Sequence, residues 1–224
     1  MEVTLEEAFP QAGFDIIPDI FSATQMDRLL AQLQESILPR SRAGIRHALR
    51  HPSVAAIARG RLLELAERVL GCETIPFRAT LFDKSPRSNW LVVWHPDTTL
   101  PLARRIDIGG WGPWSKKDGV WYARAPAEAL SKVLAHLDDS SAENGPLRVL
   151  PGTHNLGVLS DDEIHSASER IEPFACTISR GGALAMRPLL IHASSKAQIK
   201  VSRRVLHIAY AAHPVLQGLA LATA

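Results

Sequence analysis

The sequence predicts a mainly β protein with flanking helices, an α+β domain in which helices cover one side of a sandwich or barrel. Helical periodicity is confined to the first third of the chain, and from Phe77 onward short apolar runs alternate with Gly, Pro, Asn and Asp. No internal repeat, low-complexity tract or linker divides the 224 residues. We therefore expect residues 1–224 to form one domain, a length that allows a sizeable core.

Two helical patterns occupy residues 22–70 and are expected to support the sheets. Ser22 offers a cap-like start, and apolar residues then recur at helical spacing as far as Ile37. A second pattern begins at Ser53 and is expected to stop at Gly71.

Six largely apolar runs in the remainder are expected to be strands. They cover residues 78–82, 90–94, 148–150, 175–178, 183–192 and 204–211. Residues 109–114, which are rich in Gly and Trp, are expected to lie in a long irregular loop. Loops of that kind are more often lids or binding loops than plain connectors.

The composition makes several functional classes poor candidates. The net charge is +2 and the Lys and Arg residues are scattered, so no nucleic-acid partner is expected. No run approaches the roughly eighteen apolar residues of a membrane helix, and the acidic N-terminal segment is unlike a secretory signal. Cys72 and Cys176 form no C-x-x-C pair, which argues against a zinc knuckle or a disulfide framework. We expect a cytoplasmic protein with no membrane partner.

Two strand-like runs end in side chains that bind metals. The first run ends in His95-Pro96-Asp97, and alternate residues of an extended strand share a face, so His95 and Asp97 can hold one ion together. The second run ends in His192. Two histidines and one carboxylate are typical of the facial triad of a non-haem Fe(II) oxygenase. An isolated His-x-Asp is more often a surface pair, so this hypothesis depends on His192 and on the motifs that lie between.

An ordered series of motifs runs through residues 75–213. Its members are Leu81-Phe-Asp-Lys84, Asn89-Trp90, Trp94-His95-x-Asp97, Leu137-Asp-Asp139, Glu143-Asn-Gly-Pro-Leu-Arg-Val-Leu-Pro-Gly-Thr-His154 and Arg187-Pro-Leu-Leu-Ile-His192-Ala-Ser-Ser195. The series resembles the phytanoyl-CoA dioxygenase family of Fe(II)/2-oxoglutarate oxygenases. The resemblance implies a double-stranded β-helix, the jelly-roll or cupin-like core. It also implies a dioxygenase that hydroxylates a small molecule with O₂ and the co-substrate 2-oxoglutarate, releasing succinate and CO₂.

The resemblance also implies roles for particular residues. His95, Asp97 and His192 match the iron ligands, and Arg203 matches the basic residue that holds the distal carboxylate of 2-oxoglutarate. A guanidinium pairs with a carboxylate through two hydrogen bonds, which agrees with that role. Strand parity places Arg203 and Arg204 on opposite faces, and Arg204 stays open as the alternative anchor.

Four further residues are candidates near this site. Lys84 and Asn89 precede the metal strand, and one of them either binds 2-oxoglutarate or substrate or is a solvated polar residue in a turn. Ser194 either contacts a carboxylate oxygen or caps a loop. His207 shares the predicted face of Arg203 and is expected to line the pocket.

Two departures from the family pattern keep other functions open. Pro96 lacks a backbone N–H and implies a strand end or bulge, and the stretch before Asp138 is short enough to open the cofactor pocket. One alternative is a jelly-roll protein that holds another metal for isomerase or hydrolase chemistry. The other is a non-catalytic relative that binds a metabolite or a protein partner. Neither the substrate nor the oligomeric state is predicted.

Overall fold

Two antiparallel sheets, one of seven and one of four strands, form the body of the protein. The computed structural model describes residues 5–41, 43–126, 134–137 and 140–222. Apolar side chains of both sheets, among them Val149 and Cys176 of the smaller and Leu184 and Met186 of the larger, meet in one buried cluster. Helices cover the other face of the larger sheet, so the predicted α+β class with a mainly β core is confirmed.

The strands are short except for two long neighbours. In chain order they are β1 (Phe14–Ile17), β2 (Arg40–Ser41), β3 (Gly44–Ile45), β4 (Ile75–Lys84), β5 (Val92–His95), β6 (Thr99–Leu102), β7 (Trp114–Lys117), β8 (Val120–Arg124), β9 (Leu134–Leu137), β10 (Leu147–Val149), β11 (Phe174–Cys176), β12 (Ala183–Met186), β13 (His192–Ser194), β14 (Arg203–Ala211), β15 (Val215–Leu216) and β16 (Leu219–Ala220). The larger sheet has the order β1-β12-β9-β14-β4-β3-β2, and the smaller has the order β11-β10-β13-β5. The long pair β4 and β14 therefore lies inside the larger sheet.

The α-helices are α1 (Leu5–Ala12), α2 (Ala23–Gln34), α3 (Pro52–Ala58), α4 (Arg61–Leu70) and α5 (Asp161–Arg170). None of the helices in the described part of the chain has the length and apolar character needed to cross a membrane.

The first predicted helix starts as expected and ends early. Ser22 Oγ accepts from the Gln25 backbone N–H at 3.3 Å, and Gln25 Oε1 accepts from the Ser22 N–H at 2.9 Å, which completes a capping box. The helix ends at Gln34. Ile37 lies beyond it and is fully exposed, so its assignment to the helix was wrong.

The second predicted helix is two helices, α3 and α4. Gly60 separates them with φ −105° and ψ −126°, a non-helical conformation that glycine adopts at low cost. Gly71 ends α4 in the left-handed region at φ +69°, as predicted.

The predicted strand over residues 183–192 is also two strands, and they belong to different sheets. β12 lies in the larger sheet and β13 in the smaller one. Pro188 lies between them and has no N–H to donate to a neighbouring strand. The Leu190 N–H donates to Arg187 O at 3.1 Å, which closes a turn there. The chain therefore crosses between the sheets just before His192.

The predicted lid loop is fixed to the body of the protein. Strands β6, β8 and β7, which were not predicted, form a three-stranded sheet around it. Trp111 is buried, and its indole N–H donates to Gln217 Oε1 at 2.9 Å. These contacts favour an anchoring role for Trp111 over a mobile one.

Candidate metal centre and cofactor cavity

The two histidines of the predicted triad are cross-strand neighbours. His95 ends β5 and His192 begins β13, and the two residues are directly paired in the smaller sheet. Their ring centroids are 4.4 Å apart. Pro96 follows at once and cannot donate to the ladder, which accounts for the strand ending at His95.

Both imidazoles are held in the same orientation. The Nδ1 of His95 lies 2.8 Å from Val93 O, and the Nδ1 of His192 lies 2.8 Å from Leu190 O. A carbonyl only accepts, so each Nδ1 carries the proton and each Nε2 keeps its lone pair for a metal. Burial lowers the pKa of His192, and the neighbouring His95 adds to this effect while Asp97 opposes it. The ring is therefore kept neutral, as a ligand must be.

Asp97 completes the group from the chain that follows β5. Its backbone N–H donates to Pro188 O at 2.8 Å, which ties it to the crossing segment that precedes His192. One ligand atom from each of Asp97, His95 and His192 lies within 4.8 Å of the others. The Oδ2 of Asp97 is buried and has no hydrogen-bond partner in the described part of the chain. A buried carboxylate oxygen without a donor is costly, and a divalent metal would remove that cost.

The triad borders a cavity of about 160 Å³ between the two sheets. Polar and apolar side chains both line it, on the long strands β4 and β14 as well as on the smaller sheet. The lining residues are Arg78, Phe82, Lys84, Trp90, Val92, His95, Asp97, Leu147, His192, Ser194, Arg203, Val205 and His207. Arg203 and His207 thus both line the cavity from β14.

Ser194 joins the two cations of this cavity. Its Oγ accepts from Lys84 Nζ at 2.8 Å and from Arg203 Nη2 at 3.3 Å, and it donates to Gly145 O at 2.9 Å. Lys84 Nζ also donates to Ser195 O at 2.6 Å. The hydroxyl is therefore fully used, and it keeps an ammonium and a guanidinium side by side.

Lys84 is buried beside a like charge. It is only 1% exposed, and burial together with the nearby Arg203 guanidinium lowers its pKa to about 8. The described residues use two of its three N–H donors, and its ammonium lies 5.5 Å from the centre of the Trp90 ring. Two adjacent cations at a cavity wall favour an anion as the ligand.

The sequence of most of the chain matches one known protein family. Residues 9–205, most of the chain, match the family described as phytanoyl-CoA dioxygenase (PhyH). The chain belongs to the phytanoyl-CoA dioxygenase family. The resemblance in the motif series is thus confirmed.

One characterised relative shares about a quarter of its aligned residues with this chain. L-proline trans-4-hydroxylase from Streptomyces griseoviridis is 26% identical over 186 residues, which cover 69% of this chain and 63% of the relative. The chain thus spans less than two thirds of that enzyme's length.

Solved structures share the fold. EctD from S. alaskensis with bound Fe has a TM-score of 0.71 at 19% identity, covering 95% of this chain and 77% of that one. The alpha-ketoglutarate-dependent epimerase SnoN from nogalamycin biosynthesis has a TM-score of 0.67 at 17% identity, covering 92% and 80%. These likenesses confirm the predicted jelly-roll core.

Two candidate residues of this family member lie away from the cavity. Arg204 is on the opposite face of β14 and is not part of the cavity lining. The Asn89 amide is bound at both ends by one backbone unit: its Nδ2 donates to Ala197 O at 2.9 Å, and its Oδ1 accepts from the Ala197 N–H at 2.8 Å. Asn89 therefore fixes the loop that follows Ser195, and its predicted ligand contact stays a prediction.

Among the described residues that line the cavity, one charged side chain was not a candidate in the sequence analysis. Arg78 lines the cavity and lies six residues before Lys84 on β4, so both side chains share a face. The alternation of side chains along β4, like that along β14, places Arg78 on the face of Lys84 from the sequence alone. Asp138 and Asp139 of the Leu-Asp-Asp motif lie outside the described residues, as does part of the short stretch before them.

Proposed function

We propose that this protein is an Fe(II)/2-oxoglutarate-dependent dioxygenase that hydroxylates a small molecule and releases succinate and CO₂. The observation that carries the proposal is the meeting of the three predicted ligands at the border of a cavity whose wall holds Lys84 and Arg203. The ligand set fits Fe(II), because two neutral imidazoles and one carboxylate leave open coordination positions for co-substrates.

In this proposal His95, Asp97 and His192 would hold the metal. When bound, Fe(II) would supply the activation of O₂ that oxidises the 2-oxo acid and a substrate C–H bond. The protein's part is to fix the three ligand atoms and their tautomers through Val93 O and Leu190 O.

Arg203 and Lys84 would bind the distal carboxylate of 2-oxoglutarate, and Ser194, whose one proton goes to Gly145 O, would hold these two cations in place. Arg203 offers a planar fork, and Lys84 keeps one N–H donor for a ligand after its bonds to Ser194 and Ser195. Arg203 is preferred to Arg204 because only Arg203 lines the cavity.

Known relatives support a small-molecule substrate. One is named an L-proline hydroxylase, and EctD from S. alaskensis has been solved with 2-oxoglutarate and 5-hydroxyectoine. We also infer one domain over residues 1–224 and a cytoplasmic location, the latter because Cys72 and Cys176 are free thiols.

The test is Fe(II)-dependent conversion of 2-oxoglutarate to succinate by the purified protein with a panel of small molecules. Asp97→Asn should reduce succinate formation to background. His165→Ala is the matched control, since His165 is an exposed histidine on α5, and it should leave the rate unchanged. If the wild-type protein forms no succinate with any compound, or if Asp97→Asn retains the wild-type rate, the proposal is wrong.

A further inference from the structure

A second basic position lies in the same cavity, away from the Lys84 and Arg203 pair. Arg78 is on β4, opposite Ala209 of β14, whereas Lys84 is opposite Arg203. Six residues of extended strand separate the two backbone positions by roughly 20 Å. The cavity is therefore basic towards both ends of the β4 and β14 pair.

Arg78 also forms the wall of an adjoining cavity of about 40 Å³. The residues that line this smaller space include His47, Arg50 and Tyr122. Burial lowers the pKa of His47, and the charges of Arg50, Arg46 and Arg78 act in the same direction, opposed by Asp118. The surroundings of Arg78 on this side are thus positively charged.

Little negative charge balances this end of the site. Asp118 is exposed and is already paired with Arg46 at 3.3 Å. Among the described residues lining the larger cavity, Asp97 is the single acid, and it belongs to the metal triad. Arg78 itself is half-buried, and the structure gives it no hydrogen bond or ion pair within the described part of the chain. A guanidinium withdrawn from water without an acceptor favours an anionic ligand.

We propose that the substrate is an acid whose carboxylate or phosphate group pairs with Arg78. This inference rests on the proposed function and adds a substrate class to it. The anchoring of 2-oxoglutarate by Arg203 and Lys84 leaves the Arg78 end for the substrate. Arg78 is then a specificity-determining residue, because an uncharged analogue would leave its guanidinium unpaired.

The experiment measures, in the absence of oxygen, how tightly candidate substrates bind to the protein loaded with Fe(II) and 2-oxoglutarate. Isothermal titration calorimetry would compare carboxylic acids, L-proline among them, with their carboxamides, and phosphate monoesters with their parent alcohols. The two sets of pairs distinguish a carboxylate from a phosphate. Arg78→Gln is the test variant, and Arg87→Gln, which replaces an exposed arginine, is the matched control.

We expect at least one acid to bind tenfold or more tightly than its uncharged partner. Arg78→Gln should remove that preference and keep wild-type affinity for 2-oxoglutarate, which also shows that the variant is folded, and Arg87→Gln should change neither. A protein that binds Fe(II) and 2-oxoglutarate but prefers no acid in any pair would overturn the inference, as would an unchanged preference in Arg78→Gln. Failure of the wild-type protein to bind Fe(II) or 2-oxoglutarate would instead contradict the proposed function.

Discussion

The two faces of strand β14 show how one segment serves both stability and the candidate site. Leu206 and Ile208 are buried against the helices. Arg203 and His207, which alternate with them, are partly buried and line the cavity. The apolar face gains stability from burial, whereas polar groups on the cavity face are costly to cover unless a ligand satisfies them. Substitutions on the two sides should therefore affect different properties.

The largest effect is expected from the metal ligands that border the cavity. His192→Ala removes one of the three atoms proposed to hold Fe(II). We expect Fe(II) affinity to fall by roughly a hundredfold or more, since even groups that only orient a ligand contribute about tenfold to a hundredfold. Titration with Fe(II) in the absence of oxygen measures this, and wild-type affinity in the variant would show that another residue is the ligand.

Substitutions on the face of β14 that packs against the helices should lower stability and leave ligand binding unchanged. Leu206 is 2% exposed in the cluster with the helices, so Leu206→Ala should lower the free energy of unfolding by about 2–5 kcal/mol. Urea unfolding measures this change. The folded variant should bind 2-oxoglutarate as the wild-type protein does, and a large loss of that affinity without loss of stability would contradict the division between the faces.

Adjacent arginines give the sharpest contrast between the faces. Arg203→Ala should weaken 2-oxoglutarate binding by about tenfold to a hundredfold, which corresponds to the roughly 1.5–3 kcal/mol of a hydrogen bond to a charged group. Arg204→Ala is its matched control and should change affinity less than twofold. The reverse order would identify Arg204 as the anchor.

Strand parity made most of this comparison predictable from sequence. Alternation separated Arg203 from Arg204 and placed His207 on the same face as Arg203, as the structure has them. The rule succeeds on β14 because successive side chains of a strand point to opposite faces. His95 and Asp97 also meet as predicted, but Asp97 lies beyond the end of β5, so its position depends on the backbone bond to Pro188 O rather than on strand alternation.

Other features depend on tertiary contacts and were missed. The break at Pro188 sends β12 and β13 into different sheets, which an apolar run does not reveal. Local patterns also gave no sign that the Asn89 amide bonds to Ala197, 108 residues away. Arg78, in contrast, could have been placed from the sequence, because it lies six residues before Lys84 on β4 and shares its face.

A smaller loss of stability is expected from one hydroxyl on the helix face. Tyr210 is fully buried, and its O–H donates to Ala58 O at the end of α3 at 2.9 Å. Tyr210→Phe leaves this carbonyl without its donor and should cost about 1–2 kcal/mol in the free energy of unfolding. Binding of 2-oxoglutarate should be unaffected, and unchanged stability would mean that water replaces the hydroxyl.

The smallest expected effect is a pH dependence of 2-oxoglutarate affinity, caused by Lys84 on the cavity wall. Burial and Arg203 lower the pKa of Lys84 to about 8, so the ammonium loses its proton as the pH rises through that value. We expect affinity for 2-oxoglutarate to be highest below pH 8 and to fall several-fold above it. Lys84→Met should bind more weakly and lack this step, and a step of equal size in the variant would assign it to another group.

Crystals grown without oxygen in the presence of Fe(II) and 2-oxoglutarate, with anomalous diffraction at the iron edge, would test the proposed site most directly. We expect one iron ion bound by His95, Asp97 and His192, with the distal carboxylate of 2-oxoglutarate on Arg203. An iron ion bound elsewhere, or a 2-oxoglutarate carboxylate on Arg204, would contradict the assignment.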